Sequence, residues 1–391
     1  MIKLLEPVKF TAEYRITTPL FLGGAFPGEG IDNQQMRNAS LKGALRFWWR
    51  ALNWGRELKA CNGDVAAALK ALHTREGELF GRASDGKDSV QSQVQLTSQL
   101  SDVTTLSAGD KSVNSFSYLL GLGLYRGGIL RPALSAGSLT VTARFKASAS
   151  AQDHAGVREA LIALGLFGGL GSRARKGLGS LSIQQVQDGG ETLTIRNDAD
   201  IRRFVAGLDI SAPGTNAPLT AFTDKTRIDL SPGGRSASAC LKQISQCLQL
   251  YRDGTVPNHE RECNFPNDRA LAVEAVRGQS VSALPARAAF GLPHNYSWIG
   301  TKDKLDIAPA ELTRNRRASP LFIHIHQYPD GNCSLVQALF PAIFLPEGST
   351  VELKGKRTTL VHNPSIDFGV IRRFMDRFTQ ENKGEVLRHG N

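Results

Sequence analysis

The residues best suited to chemistry are three cations, Arg173, Arg175 and Lys176, inside the glycine-rich segment GGLGSRARKGLGS at 168–180. Arg and Lys neutralise phosphates, and a glycine backbone lets a large ligand approach closely. The segment is not a Walker loop, because no Gly-Lys-Ser/Thr follows four spacer residues. A nucleic-acid backbone is therefore the expected ligand, ahead of a mononucleotide. The competing reading is a glycine-rich turn joining a helix to a strand, with incidental charge.

A second basic stretch is SLKGALRFWWRAL at 40–52. At 100° per residue, Leu41, Leu45, Trp48 and Leu52 share one helix face, which Phe47 and Ala51 extend, so Trp48 is expected in the core. Lys42, Arg46, Trp49 and Asn53 fall on a different face, with Arg50 beside it. An outward indole between cations suits a ribose-phosphate backbone with a stacked base, a contact contributing ~1–3 kcal/mol. The competing reading is a solvated polar face.

Catalytic candidates are fewer. His324 and His326 lie two apart in a strand pattern and share a side, so they could bind a metal or act as a pair. No third ligand shows a supporting spacing, and a half-exposed strand face is the expectation. His294, just after Pro293, is the best lone histidine for catalysis or RNA contact. The carboxylates form no D-x-D or E-x-x-H cluster of the kind that holds two metals. No cofactor is expected.

The elements that must position these residues are legible in part. The chain has 391 residues and a formal charge of +11, spread along it rather than gathered in a tail. That excess suits a nucleic acid or an anionic surface. Five cysteines without a C-x-x-C pair imply free thiols and a reducing cytoplasm. No signal-peptide pattern and no apolar run of ~18 residues is present, so no membrane partner is expected.

Strands are expected at 8–18, 115–125, 137–147 and 179–187, and helices at 40–53, 64–73 and 154–167, with 82–112 as a hairpin or insertion. That order is β-α-β-β-α-β, the ferredoxin-like or RRM-like plan. The fold class is thus α+β, two tandem ferredoxin-like (RRM-like) domains with insertions, at 1–190 and 191–391, the boundary falling near 188–197. In the second half helices are expected from Asp198 to 208, at 237–251 and at 366–378. Strands are expected there at 286–290, 319–327 and 335–344, with 210–236 and 253–268 as loops.

Gly169-Leu170-Gly171, five residues, then Gly177-Leu178-Gly179 reads G-h-G-x5-G-h-G, which resembles the glycine-rich signature of the RAMP superfamily of CRISPR-associated RNA-binding proteins. Ser-Leu-Lys-Gly-x-Leu-Arg at 40–46 resembles that superfamily's first-helix motif. The extension Phe-Trp-Trp-Arg-Ala-Leu resembles one branch, the first subunit of the Cmr (type III-B) effector complex. Thr18 to Gly24, Leu79-Phe80-Gly81, Phe290 to Pro293 and Arg317 to Leu321 resemble further elements of that branch. Residues 190–285 match nothing in it.

The resemblance implies a non-catalytic, cytoplasmic RNA-binding subunit near the 3′ end of the guide RNA, aiding target capture in antiviral defence. Its partners would be guide CRISPR RNA, target single-stranded RNA and other Cmr subunits. The expected RNA-binding residues are Lys42, Arg46, Trp49, Arg50, Gly169, Gly171, Arg173, Arg175 and Lys176, with His294 and Arg317 as further candidates. Lys42, Arg46 and Arg50 should line one side of a groove and the glycine loop the other. Two other readings stay open: a metal-independent endoribonuclease processing CRISPR RNA, and a purely architectural subunit.

Overall fold

The computed structural model describes residues 7–23, 36–83, 88–214, 217–297, 303–310, 316–380 and 384–390. Gly24, part of one motif quoted above, lies outside them. The alternation of KFTAEYRI buries Phe10, Ala12, Tyr14 and Ile16 and forms β1 (Lys9–Ile16). Two helices follow, α1 (Asn38–Ala60) and α2 (Val65–Phe80), the second capped by the Asp64 side chain. Next come β2 (Val94–Leu106), a short helix α3 (Ser117–Leu120) and β3 (Ala133–Phe145). Ser150 and Asp153 form a capping box that starts α4 (Ala151–Phe167), which runs into the glycine loop and β4 (Leu181–Asp188). A hairpin strand, β5 (Glu191–Thr194), closes an antiparallel sheet ordered β2-β3-β1-β4-β5.

The second half repeats the connectivity. After α5 (Asp198–Ala206) come β6 (Arg227–Gly234) and α6 (Ala237–Asp253). Then α7 (Pro266–Val276), β7 (His294–Ser297) and β8 (Lys304–Pro309) precede β9 (Leu321–Gln327) and β10 (Cys333–Leu339). Finally β11 (Thr350–Lys354) and β12 (Thr358–His362) lead to α8 (Gly369–Gln380) and β13 (Glu385–Arg388). One sheet is ordered β13-β6-β10-β9, so its strands, numbered one to four along the chain, lie 4-1-3-2. The first four strands of the first sheet lie in the same order. A third, antiparallel sheet, β12-β11-β8-β7, covers α7 over a small apolar core of its own.

Several expectations are corrected. Residues 115–125 hold a 3-10 turn and α3 rather than a strand, and 286–290 form a 3-10 helix. The stretch 210–236, read as a loop, contains β6, an inner strand of its sheet. The first helix, expected from residue 40, starts two residues earlier, after Arg37.

The two halves share a core. Trp48 on α1 packs against Phe167 of α4 and, across the junction, against Phe222, Phe322 and Phe340, with ring centroids 5.4–6.3 Å apart. From Ala160 to Phe167 every residue of α4 is buried, as a helix apolar on all sides must be. Gly165 lets it lie on the sheet: a Cβ there would sit 2.4 Å from Ile183.

Candidate nucleic-acid interface

The glycine loop is closed by its own backbone. Leu170 N–H donates to Gly179 O at 3.0 Å, Ser172 N–H to Phe21 O at 2.9 Å, and Gly179 N–H to Pro19 O at 2.9 Å. A Cβ at Gly179 would lie 2.1 Å from Leu170 O, and one at Gly171 2.4 Å from Phe21 O. Both residues also have positive φ, so no other residue type fits. These glycines let backbone approach backbone, and the loop is a fixed knot rather than a pliable strap.

The three loop cations go to three different places. Arg175 turns inward: its Nη1 donates to Ser319 O at 2.6 Å and its guanidinium lies 4.4 Å over the Phe322 ring and 5.6 Å from that of Phe47. Burial, then Arg317, pushes its pKa down to about 10. It ties the glycine loop to the segment ahead of β9, so its charge is directed into the protein rather than outward as expected of an RNA contact. Arg173 is exposed and adopts φ +64°, a left-handed conformation unusual for a side chain of its size. Lys176 is half-buried, its backbone bridging Ile323 of β9.

The helix face expected to oppose the loop faces elsewhere. Glu76 of α2, 2% exposed, takes hydrogen bonds from both Arg46 Nε and Arg50 Nη1 at 2.5 Å. Trp49 does not point outward. It is 2% exposed, stands edge-on to Phe80, and its Nε1 fills the space beside Gly156 of α4. Lys42 lies on the same side, its pKa lowered by burial and by Arg46. Arg46, Trp49 and Arg50 thus belong to the face of α1 that α2 and α4 cover, Lys42 continues that face as a partly exposed side chain, and the predicted pairing across a groove is not formed.

What faces the loop is the first turn of α1. A cleft of about 260 Å³ is lined by Gly169 and Gly171 of the loop, Leu22 and Gly23 after β1, and Arg37, Ser40 and Ala44 of α1. On a helical wheel the 37/40/44 stripe lies roughly 150° from the 42/46/50 stripe, at 100° per residue. The helix start carries no side-chain cap and no acidic residue in its first turn. The positive dipole end of α1 therefore points at this cleft, with Arg37 at the rim. Arg37 precedes the 40–52 motif and was not among the expected site residues. The lack of Asp or Glu just before that motif was the signal available.

Of the remaining candidates, His324, His326 and Arg317 are tied into the fold. His324 and His326 are not half-exposed but fully buried. Their Nδ1 atoms lie 2.7 and 3.3 Å from the carbonyls of Gly168 and Gly165, so β9 closes the C-terminal end of α4. Burial lowers His324 to about 4 and lowers His326 as well, and both are neutral. Arg317 Nη2 donates to Ile343 O at 2.7 Å, its guanidinium lies over Phe344, and its backbone pairs with Leu292. His294 is 9% exposed and hydrogen-bonded to Arg252. Among the described residues no group of three or more His, Cys, Asp or Glu could hold a metal, and no helix is long and apolar enough to cross a membrane.

No curated protein matches this sequence. Among solved structures, Cmr1 from Pyrococcus furiosus in its apo form superposes with a TM-score of 0.57 at 16% identity, over 98% of this chain and 99% of that one. A chain of the type III-B Cmr-beta complex bound to cognate target RNA gives a TM-score of 0.52 at 13% identity, over 96% and 99%. Both likenesses establish a shared fold. The RAMP superfamily model matches residues 13–182, from the middle of β1 to the start of β4, the segment that holds α1 and the glycine loop. Residues 13–182 match the RAMP superfamily model, within a fold shared from end to end with Cmr1 from Pyrococcus furiosus.

Proposed function

We propose that the chain is a single-stranded RNA-binding subunit of a Cmr-type (type III-B) CRISPR ribonucleoprotein and does no catalysis itself. The observation that carries this is the cleft where the uncapped start of α1 meets the glycine loop. Its contributions are the positive end of a helix dipole, the Ser40 side chain and Arg37. All of these address phosphates and none reads a base, which suits a subunit that leaves sequence recognition to guide pairing. The cleft lining named above includes no histidine for a general base, so RNA binding is favoured over RNA cleavage. We further read the two 4-1-3-2 sheets as tandem ferredoxin-like domains, and the partners as guide and target RNA in a cytoplasmic complex near the guide 3′ end.

The test is fluorescence anisotropy of labelled single-stranded RNA across a salt series. Arg37→Glu should weaken binding and shrink the salt slope by ~0.7 for each phosphate no longer neutralised. An unchanged affinity and slope would show that RNA does not use this cleft.

A further inference from the structure

On the far side of Arg175, the loop sends Lys176 into the junction between the halves, where cations outnumber carboxylates. Lys176 lies within electrostatic reach of Arg173 of its own loop, Arg252 and Asp253 at the end of α6, and His294 on β7; His294 in turn adjoins Arg252 and Arg287 of the 3-10 turn, and Arg173 adjoins Arg316 ahead of β9. Arg287 engages both nearby carboxylates, Asp268 at 3.2 Å and Asp253 at 3.5 Å. Asp268 is further taken up by Tyr296 OH and two backbone N–H groups. Lys176 ammonium has no ion-pair or hydrogen-bond partner among the described residues.

His294 adds an oriented donor. Arg252 Nη2 lies 3.2 Å from His294 Nδ1, and a guanidinium can only donate, so Nδ1 accepts. The ring proton then sits on Nε2, which is buried and has no acceptor among the described residues. A half-buried group of cations with an unanswered N–H is unfavourable unless an anion completes it.

We propose that this junction is an oxyanion site that takes a phosphate group, held by Lys176, Arg173, Arg252 and the His294 Nε2–H. Ammonium, guanidinium and imidazole N–H all donate and none accepts, the donor set a tetrahedral phosphate satisfies. The phosphate could be the end group of a strand or a phosphodiester within one. The site does not depend on RNA using the α1 cleft, since Arg37 is no part of it.

Burial, then Arg252 and Arg173, lowers Lys176 to about 7, with Asp253 opposing. An anion beside it restores the charge, so binding above neutral pH must draw in a proton. The experiment is calorimetry of the full chain with inorganic phosphate and with sulfate, which does not itself titrate near neutral pH. Sulfate titrations at pH 8, in two buffers of different ionisation heat, should show proton uptake. Lys176→Gln should abolish that uptake and weaken both anions by at least ~10-fold, the loss of one charged hydrogen bond.

Arg173→Asn tests the site without risk to the fold, because Asn tolerates the left-handed backbone there. It should weaken both anions several-fold. A 5′-phosphorylated RNA binding more tightly than its 5′-hydroxyl twin, with the difference lost in Lys176→Gln, assigns the site to a strand end. Equal binding of the twins, with sulfate competing against both, assigns it to a phosphodiester. No binding of either anion at low ionic strength, or equal binding by wild type and both variants, overturns the proposal.

Discussion

Replacing Trp49 by alanine should destabilise the protein as severely as replacing Trp48, and should leave RNA affinity unchanged in the folded fraction. Both rings are 2% exposed. Trp49 is held edge-on to Phe80 at 6.3 Å, its Nε1 occupies the place where a Cβ at Gly156 would fall, and its carbonyl accepts from Asn53 at 2.7 Å. Truncation strips the packing shared by three helices and leaves a void that α1, α2 and α4 cannot close without moving apart. Trp→Ala at such sites costs about 3–5 kcal/mol. For a cooperative unit of this size each kcal/mol lowers Tm by about 2–4 °C, which gives a fall of roughly 6–20 °C. The assay is near-ultraviolet circular dichroism on heating, paired with RNA anisotropy at a temperature where the variant is folded. A variant that melts like wild type while losing RNA affinity would refute the buried placement and restore Trp49 as a stacking platform.

Glu76→Gln should lower stability by about 1–3 kcal/mol, because it leaves Arg46 and Arg50 without their shared carboxylate; the guanidiniums are about one-third exposed, so the loss falls below that of a fully buried pair. Urea unfolding measures it, and an unchanged midpoint would contradict the pairing. Arg175→Ala should cost about 2–4 kcal/mol by removing the Ser319 bond and the stacking on Phe322, without changing the salt slope of RNA binding. A reduced slope would return Arg175 to the RNA site. Acid should also loosen the junction. His324 is lowered to about 4, so the unfolded chain binds the extra proton first, and stability falls as pH drops from about 6.5 towards 4. The loss reaches ~3 kcal/mol from this one group. His324→Gln should flatten that part of a stability-against-pH curve, and an unchanged curve would rule the group out.

The first half was legible because its signals are local. The alternation in β1 and the G-h-G-x5-G-h-G spacing each mark their element without help from the rest of the chain. The glycine spacing marks a loop whose glycines serve backbone packing, Gly171 against Phe21 O and Gly179 against Leu170 O. The basic face of α1 misled because a helical wheel cannot show what lies opposite. Polarity at Arg46 and Arg50 looked like a solvated or RNA-binding face, yet it faces a buried Glu76 some thirty residues on. Trp49 followed the same wheel into the wrong environment.

The second half was harder for a different reason. β6 carries Pro232, Gly233 and Gly234 at its end and buries Arg227 against Asp229, so an inner strand reads as a turn-rich loop. The four strands of the third sheet are four to six residues long and are split by β9 and β10 in sequence, too short and too scattered to leave a period. Arg252, His294 and Lys176 meet only through the tertiary fold, and no spacing in the chain announces their junction.

The central claim, that RNA runs through the cleft between the start of α1 and the glycine loop, is tested most directly by photocrosslinking. A single-stranded RNA carrying 4-thiouridine at successive positions would be irradiated with the intact protein and the linked peptides read by mass spectrometry. The account predicts links within residues 36–41 and 169–173. Links confined to the enclosed side of α1, at Lys42 to Arg50 and the facing surface of α2, with none at the cleft, would contradict it.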